Sequence, residues 1–210
     1  MKFIKVASSV ISTIFSPLLM ATYGVTLAMV LSFLCFIPTV TKLTVILETF
    51  LATFIIPVIF IFILSRLSVI KDPRLNERGD RTWPYVIESA CFIGLAVYLY
   101  TINAPTWLSL FLLGGAVALI VMTVINRWWK ISGHATGMGG LCALIFYLMM
   151  SGNCVYDLTW EFLLAVVLSG LVCSSRLILD RHTLGQVAAG FLNGFVWVFF
   201  PPFIMLSDNF

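Results

Sequence analysis

Long apolar runs decide what this chain can become. They lie near Ile14–Ile37, Thr44–Leu64, Pro84–Asn103, Thr106–Ile125, Ala135–Met150, Glu161–Leu179 and Thr183–Met205, with short polar breaks between them. A helix needs about 20 apolar residues to cross a bilayer, and all but the fifth run approach that length. The runs are continuous rather than alternating, which argues for helices and against the strands of an outer-membrane barrel. Charged residues make up 10% of the chain, against about 25% in a soluble domain. The expected fold is all-α: a polytopic transmembrane helical bundle of about six or seven spans. Residues 1–210 form one domain, with little left over for a soluble one. Met1 to Thr13 carries Lys2 and Lys5 but leads into a span long enough to stay in the bilayer, so no cleaved signal peptide is expected.

Charge is spread unevenly over the loops. On this topology the N-terminus and the loops after the second, fourth and sixth spans share one side. That side collects Lys2, Lys5, Arg66, Lys71, Arg74, Arg78, Arg81, Arg127, Lys130, Arg176 and Arg181, and only Lys42 falls on the other. The positive-inside rule accounts for basic loops in any membrane protein. It does not explain why the chain's only two histidines, His134 and His182, lie on that same side. Histidine moves protons and forms covalent bonds near neutral pH. The plainer account is a pair of interfacial histidines bonded to water and backbone. Their neighbours favour chemistry: a cationic, proton-active pocket suits an anionic substrate whose other end lies in lipid.

Those neighbours carry a resemblance. Ser175-Arg176, five residues and His182 match the core of SRxxxxxHxxxD, the third signature of the type 2 phosphatidic acid phosphatase family. Ser132-Gly133-His134 resembles the second signature, PSGH. The first, KxxxxxxRP, fits in two registers, Lys71 with Arg78 or Arg74 with Arg81. The resemblance covers roughly Lys71 to Gly194. It implies a membrane phosphatase acting on a lipid or isoprenoid phosphate monoester or diphosphate through a phosphohistidine. His182 is then the nucleophile and His134 the acid for the departing alcohol. Arg176, Ser132, Gly133, Arg78 and Arg81, with Lys71 in reserve, hold the phosphate, while Arg74 and Arg66 go to lipid head groups.

Three departures stand out. Ile131 replaces the proline of PSGH, Gly79 or Thr82 replaces the proline after the arginine, and Gln186 replaces the aspartate that orients the nucleophile. In the serine-protease triad a carboxylate-to-amide change costs about 10⁴ in rate by leaving the wrong tautomer. Gln186, four residues after His182, shares its face if both are helical. Its amide oxygen can then accept the Nδ1–H bond without supplying charge.

The chemistry stands without the family name. Phosphoryl transfer needs positive charge around the equatorial oxygens, an in-line nucleophile and a proton for the leaving oxygen. Arg176 can bind two oxygens at once, and a helix N-terminus expected just after His134 favours an anion. Two histidines without a carboxylate cluster make a poor metal site, and neither a metal nor another cofactor is expected. The implied partners are a lipid phosphate and membrane lipids, with no nucleic acid. Two rivals remain: a catalytically weakened family member that binds or moves phospholipid, and a small-solute transporter with a cationic vestibule. A transporter is expected to carry inverted repeats and mid-membrane broken helices, and no repeat is evident.

Other conspicuous residues have structural readings. Gly137, Gly139, Gly140, Gly185, Gly190 and Gly194 sit at spacings suited to close helix packing, with Gly133 as the exception. Scattered cysteines are expected as small buried residues, and Trp128 and Trp129 as an interfacial anchor. Glu88 either touches the pocket or snorkels to water. With possible site residues set aside, the loop charges still argue for a cytoplasmic pocket. The resemblance implies the extracytoplasmic face of a bacterial cytoplasmic membrane, and that face is the one expected.

Overall fold

The computed structural model describes residues 2–70 and 78–207. A backbone in lipid must satisfy its own hydrogen bonds, and the apolar runs accordingly form helices. These are α1 (Lys2–Ile14), α2 (Met20–Leu31), α3 (Thr39–Phe50), α4 (Ile56–Arg66), α5 (Thr82–Thr101), α6 (Thr106–Ile125), α7 (Gly133–Ser151), α8 (Thr159–Ile178) and α9 (Leu184–Ser207). A π-helical turn, Leu51–Ile55, joins α3 to α4 without a break. Among the described residues no strand forms, and one isolated bridge links Ser32 to Cys154. Seven helical stretches among the described residues are long and apolar enough to cross a membrane. The chain is a polytopic all-α bundle.

The first apolar run is divided differently from the expectation of Ile14–Ile37. Helix begins at Lys2, stops at Ile14 and resumes at Met20 after a short 3₁₀ turn at Pro17–Leu19. Proline lacks an N–H and pushes the preceding residue towards extended backbone; Ser16 takes φ −60°, ψ 137°. α1 lies along α8 and turns buried Ser8 and Ser12 inward, while Phe3, Val6 and Val10 stay exposed. This break brings the chain back to the end of the bundle where the basic loops gather.

α7 is the central helix, packed against α9, α8, α2 and α6. Its apolar window is 67% buried, against 17% for Thr39–Arg66 at the periphery. A central helix need not face lipid, which fits the shortness of the fifth run. Bulk hydrophobicity does not select which helices touch inside a bilayer, so small residues and hydrogen bonds do. A Cβ on Gly139 would collide with the carbonyl of Phe191, and one on Gly194 with the carbonyl of Thr136. On Gly190 it would lie 2.6 Å from the Ser132 carbonyl oxygen, and on Gly114 it would meet the Trp197 carbonyl. Asn193 Nδ2 donates to the Ala118 carbonyl at 3.0 Å, fastening α9 to α6 as well. Gly137 meets the Met20 side chain, whereas Gly185 and Gly133 have only ordinary contacts. Those two are not packing glycines.

Gly194→Ala is expected to destabilise the protein in detergent by about 1–3 kcal/mol, the usual cost of forcing apart a packed interface. Gly170→Ala, where nothing lies within 4 Å of a Cβ, provides the control. Equal melting temperatures for the two variants would contradict the assignment of Gly194 to the α7–α9 seam.

Candidate active site

One cavity of about 190 Å³ opens where the basic loops meet. Tyr85 and Glu88 reach it from α5 and Arg81 from just before it, Gly133 and His134 from α7, Arg176 from the last turn of α8, and His182 from the α8–α9 link. Ser16, Pro17 and Leu18, from the break between α1 and α2, complete much of the wall. The structure thus brings His134, from the break before α7, together with Arg176 and His182, from the break between α8 and α9. Arg81 comes with them, 7% exposed at the end of the 3₁₀ turn that feeds α5.

His182 is held in one tautomer. Its Nδ1 lies 3.2 Å from the Lys130 carbonyl oxygen and 3.2 Å from Gln186 Oε1. A carbonyl only accepts, so Nδ1 carries the proton and Nε2 keeps its lone pair. The Gln186 amide is oriented by a second donor, because the Thr183 N–H also bonds Oε1 at 3.2 Å. The Gln186 N–H in turn faces Thr183 Oγ1 at 3.5 Å. Thr183 and Gln186 therefore form the reciprocal capping box of α9. Contrary to the expectation of a shared helix, His182 stands outside α9, and the cap rather than helical spacing makes the contact.

His134 is the second residue of α7. Its Nε2 lies 3.0 Å from the Ser12 carbonyl oxygen, so that nitrogen also carries a proton. The N–H groups of Gly133 and His134 have no partner among the described residues, as the first turn of a helix dictates. Arg176 Nε is buried with no hydrogen-bond partner among the described residues. An anion in the cavity would satisfy such donors.

Other expected residues lie elsewhere. Arg78 is exposed and outside the lining. Its carbonyl accepts from Asn126 Nδ2 at 2.8 Å and from the Arg81 N–H at 3.3 Å, so its backbone anchors the turn that presents Arg81. Ser132 is fully buried and caps α7, its Oγ 3.4 Å from the Ala135 nitrogen, which keeps the hydroxyl out of the lining. Lys71 and Arg74 lie outside the described residues. Sequence reasoning overlooked Tyr85 and left Glu88 undecided. The signal was available: Arg81, Tyr85 and Glu88 are spaced i, i+4, i+7, one face of a helix. The carbonyls of Lys130 and Ser12 had no signal, because every residue has one.

Burial and then the charges of Arg81 and Arg176 lower the His182 pKa from 6.5 to about 4, against the opposing bonds from Gln186 and Lys130. The imidazole is neutral at pH 7, as a nucleophile must be. Among the described residues no cluster of His, Cys, Asp or Glu could hold a metal. The unfolded chain takes up a proton below pH 6.5 that folded His182 refuses until about pH 4. Stability is therefore lost as the pH falls through that window, by on the order of 3 kcal/mol at full shift. His182→Gln is expected to melt with a shallower pH dependence between those values; superimposable curves would contradict the assignment.

Comparison with known proteins returned no matching family model, no matching curated protein and no matching solved structure.

Proposed function

We propose that the protein is a membrane phosphatase of the type 2 phosphatidic acid phosphatase kind, acting on a lipid or isoprenoid phosphate monoester or diphosphate. The observation that carries this reading is the single cavity holding Arg81, Arg176, His134 and His182. Within it, His182 Nδ1 is committed to two oxygens. Cationic groups there bind phosphate oxygens and offset the charge that builds on them in the transition state.

His182 Nε2 attacks phosphorus and the bond to the ester oxygen breaks. The bound phosphate dianion offsets Arg81 and Arg176 and lets His134 take up a proton as imidazolium; its Nδ1 gives that proton to the leaving oxygen, while Nε2–H stays bonded to the Ser12 carbonyl. A water then attacks the phosphohistidine, gives its proton back to His134 Nδ1, and phosphate leaves with His182 restored. The Lys130 carbonyl and Gln186 together hold the nucleophile's tautomer, so the missing aspartate removes a charge but not the orientation.

Phosphate release from a panel of lipid phosphates by purified protein tests the assignment. His182→Ala is expected to lose at least about 10³-fold, and Arg81→Ala or Arg176→Ala about 10²–10³-fold. Arg78→Ala should stay within about twofold, as for an ordinary surface change. Gln186→Glu keeps both the cap and the His182 contact and should hold or raise turnover, whereas Gln186→Leu removes both and should abolish most of it. Full activity in His182→Ala would defeat the reading. No release by wild type from any lipid would favour the descendant that only binds phospholipid, for which the uncharged Gln186 is the specific argument.

The same proposal places the cavity on the extracytoplasmic face of a bacterial cytoplasmic membrane. Gly79 is exposed, and no described residue lies within 4 Å of where its Cβ would be. In a background lacking the native cysteines, Gly79→Cys should react with a membrane-impermeant thiol reagent in intact cells. Reaction only after permeabilisation would put the pocket on the cytoplasmic side.

A further inference from the structure

One buried side chain in the cavity has no part in the reaction above. Glu88 is 4% exposed on α5 and has no hydrogen-bond or ion-pair partner among the described residues. It lines the cationic cavity and also a second one of about 60 Å³, whose other walls are almost entirely apolar. Tyr85, Gly133 and Pro17 are shared by both, so the two spaces meet at Glu88. The carboxyl therefore sits at a junction, with phosphate-binding groups on one side and carbon on the other.

An unpaired polar group at such a place costs about 1–3 kcal/mol or more, which a ligand atom can offset. Glu88 stands seven residues beyond Arg81 on the same face of α5, about 10 Å deeper along the axis. A phosphate held by the guanidinium groups would direct the first carbons after its ester oxygen towards that carboxyl. A hydroxyl is the group that pairs with a carboxyl in either protonation state, donating to the ionised form and accepting from the neutral one. An isoprenoid phosphate offers only carbon there and would leave Glu88 dry and unpaired.

Resting on the phosphatase reading, we infer that Glu88 is a specificity-determining residue. It selects lipid phosphates that carry a free hydroxyl on the first carbons beyond the phosphate ester, and the apolar cavity receives the carbons that follow.

The test uses a pair of lipids, a 1-acylglycerol 3-phosphate and its 2-deoxy counterpart, which differ only in that hydroxyl. Wild-type kcat/KM should favour the hydroxylated lipid by at least about tenfold, since a site built to bond a hydroxyl discriminates against its absence. The ratio should collapse towards one in Glu88→Leu and persist in Glu88→Gln, whose amide still pairs with a hydroxyl; Glu88→Ala replaces the leucine variant if that one does not fold. Dissociation constants of the same pair for His182→Ala should show the same preference without turnover. A wild-type ratio near one, or a preference that survives Glu88→Leu, overturns the inference while leaving the phosphatase reading intact. If wild type releases phosphate from no lipid, the phosphatase reading fails, and the binding ratio in His182→Ala still decides the role of Glu88.

Discussion

The close approach of α9 to α7 is the constraint on which the candidate site depends. Glycines at 139, 190 and 194 let the two backbones touch where any side chain would hold them apart. That approach carries the start of α9 up to the start of α7, where the Ser132 N–H bonds the Gln186 carbonyl at 3.3 Å and His182 reaches the Lys130 carbonyl. The helix that carries one histidine thus supports the chain that carries the other. Inside lipid there is little hydrophobic drive to bring helices together, so shape and a few hydrogen bonds must set the spacing.

Both imidazoles are fixed by backbone oxygens, His182 by Lys130 and His134 by Ser12. A backbone carbonyl is less basic than a carboxylate, yet its position is set by the fold and its sense as an acceptor never changes. Gln186 adds a second acceptor whose direction is locked by the capping box of α9. A helix cap and the orientation of the His182 ring are thereby one structure. The break at Ser16–Pro17 has a comparable double role, ending α1 so that Ser12 meets His134 and forming part of the cavity wall.

Polar groups in the bundle interior are expensive, and Arg81, Glu88, Ser132 and His182 are buried at the basic end. Among the described residues, Arg176 leaves its Nε without a hydrogen-bond partner and Glu88 leaves its carboxyl unpaired at the cavity junction. Buried groups left unsatisfied by the protein in this way are characteristic of sites that bind a ligand. The same low-dielectric surroundings that make a buried Arg176 Nε costly strengthen its interaction with a bound anion.

Much of this architecture was legible in the residues alone. Continuous apolar runs require helices, because lipid offers no other partner for the backbone, and the glycine spacings in the fifth and seventh runs announce a close interface. His134, Arg176 and His182 could be placed on one side by counting spans. Three things waited for the tertiary structure. The arginine register was ambiguous because several arginines crowd one loop, and only folding buries Arg81 while leaving Arg78 outside. Ser132 looked like a phosphate ligand by its motif, but a hydroxyl before a helix is as readily a cap. The tautomers of the two histidines depend on carbonyls from α1 and from the loop before α7. Every residue carries a carbonyl, so the sequence cannot distinguish the two that matter; only packing brings those oxygens within 3.2 Å of a ring nitrogen.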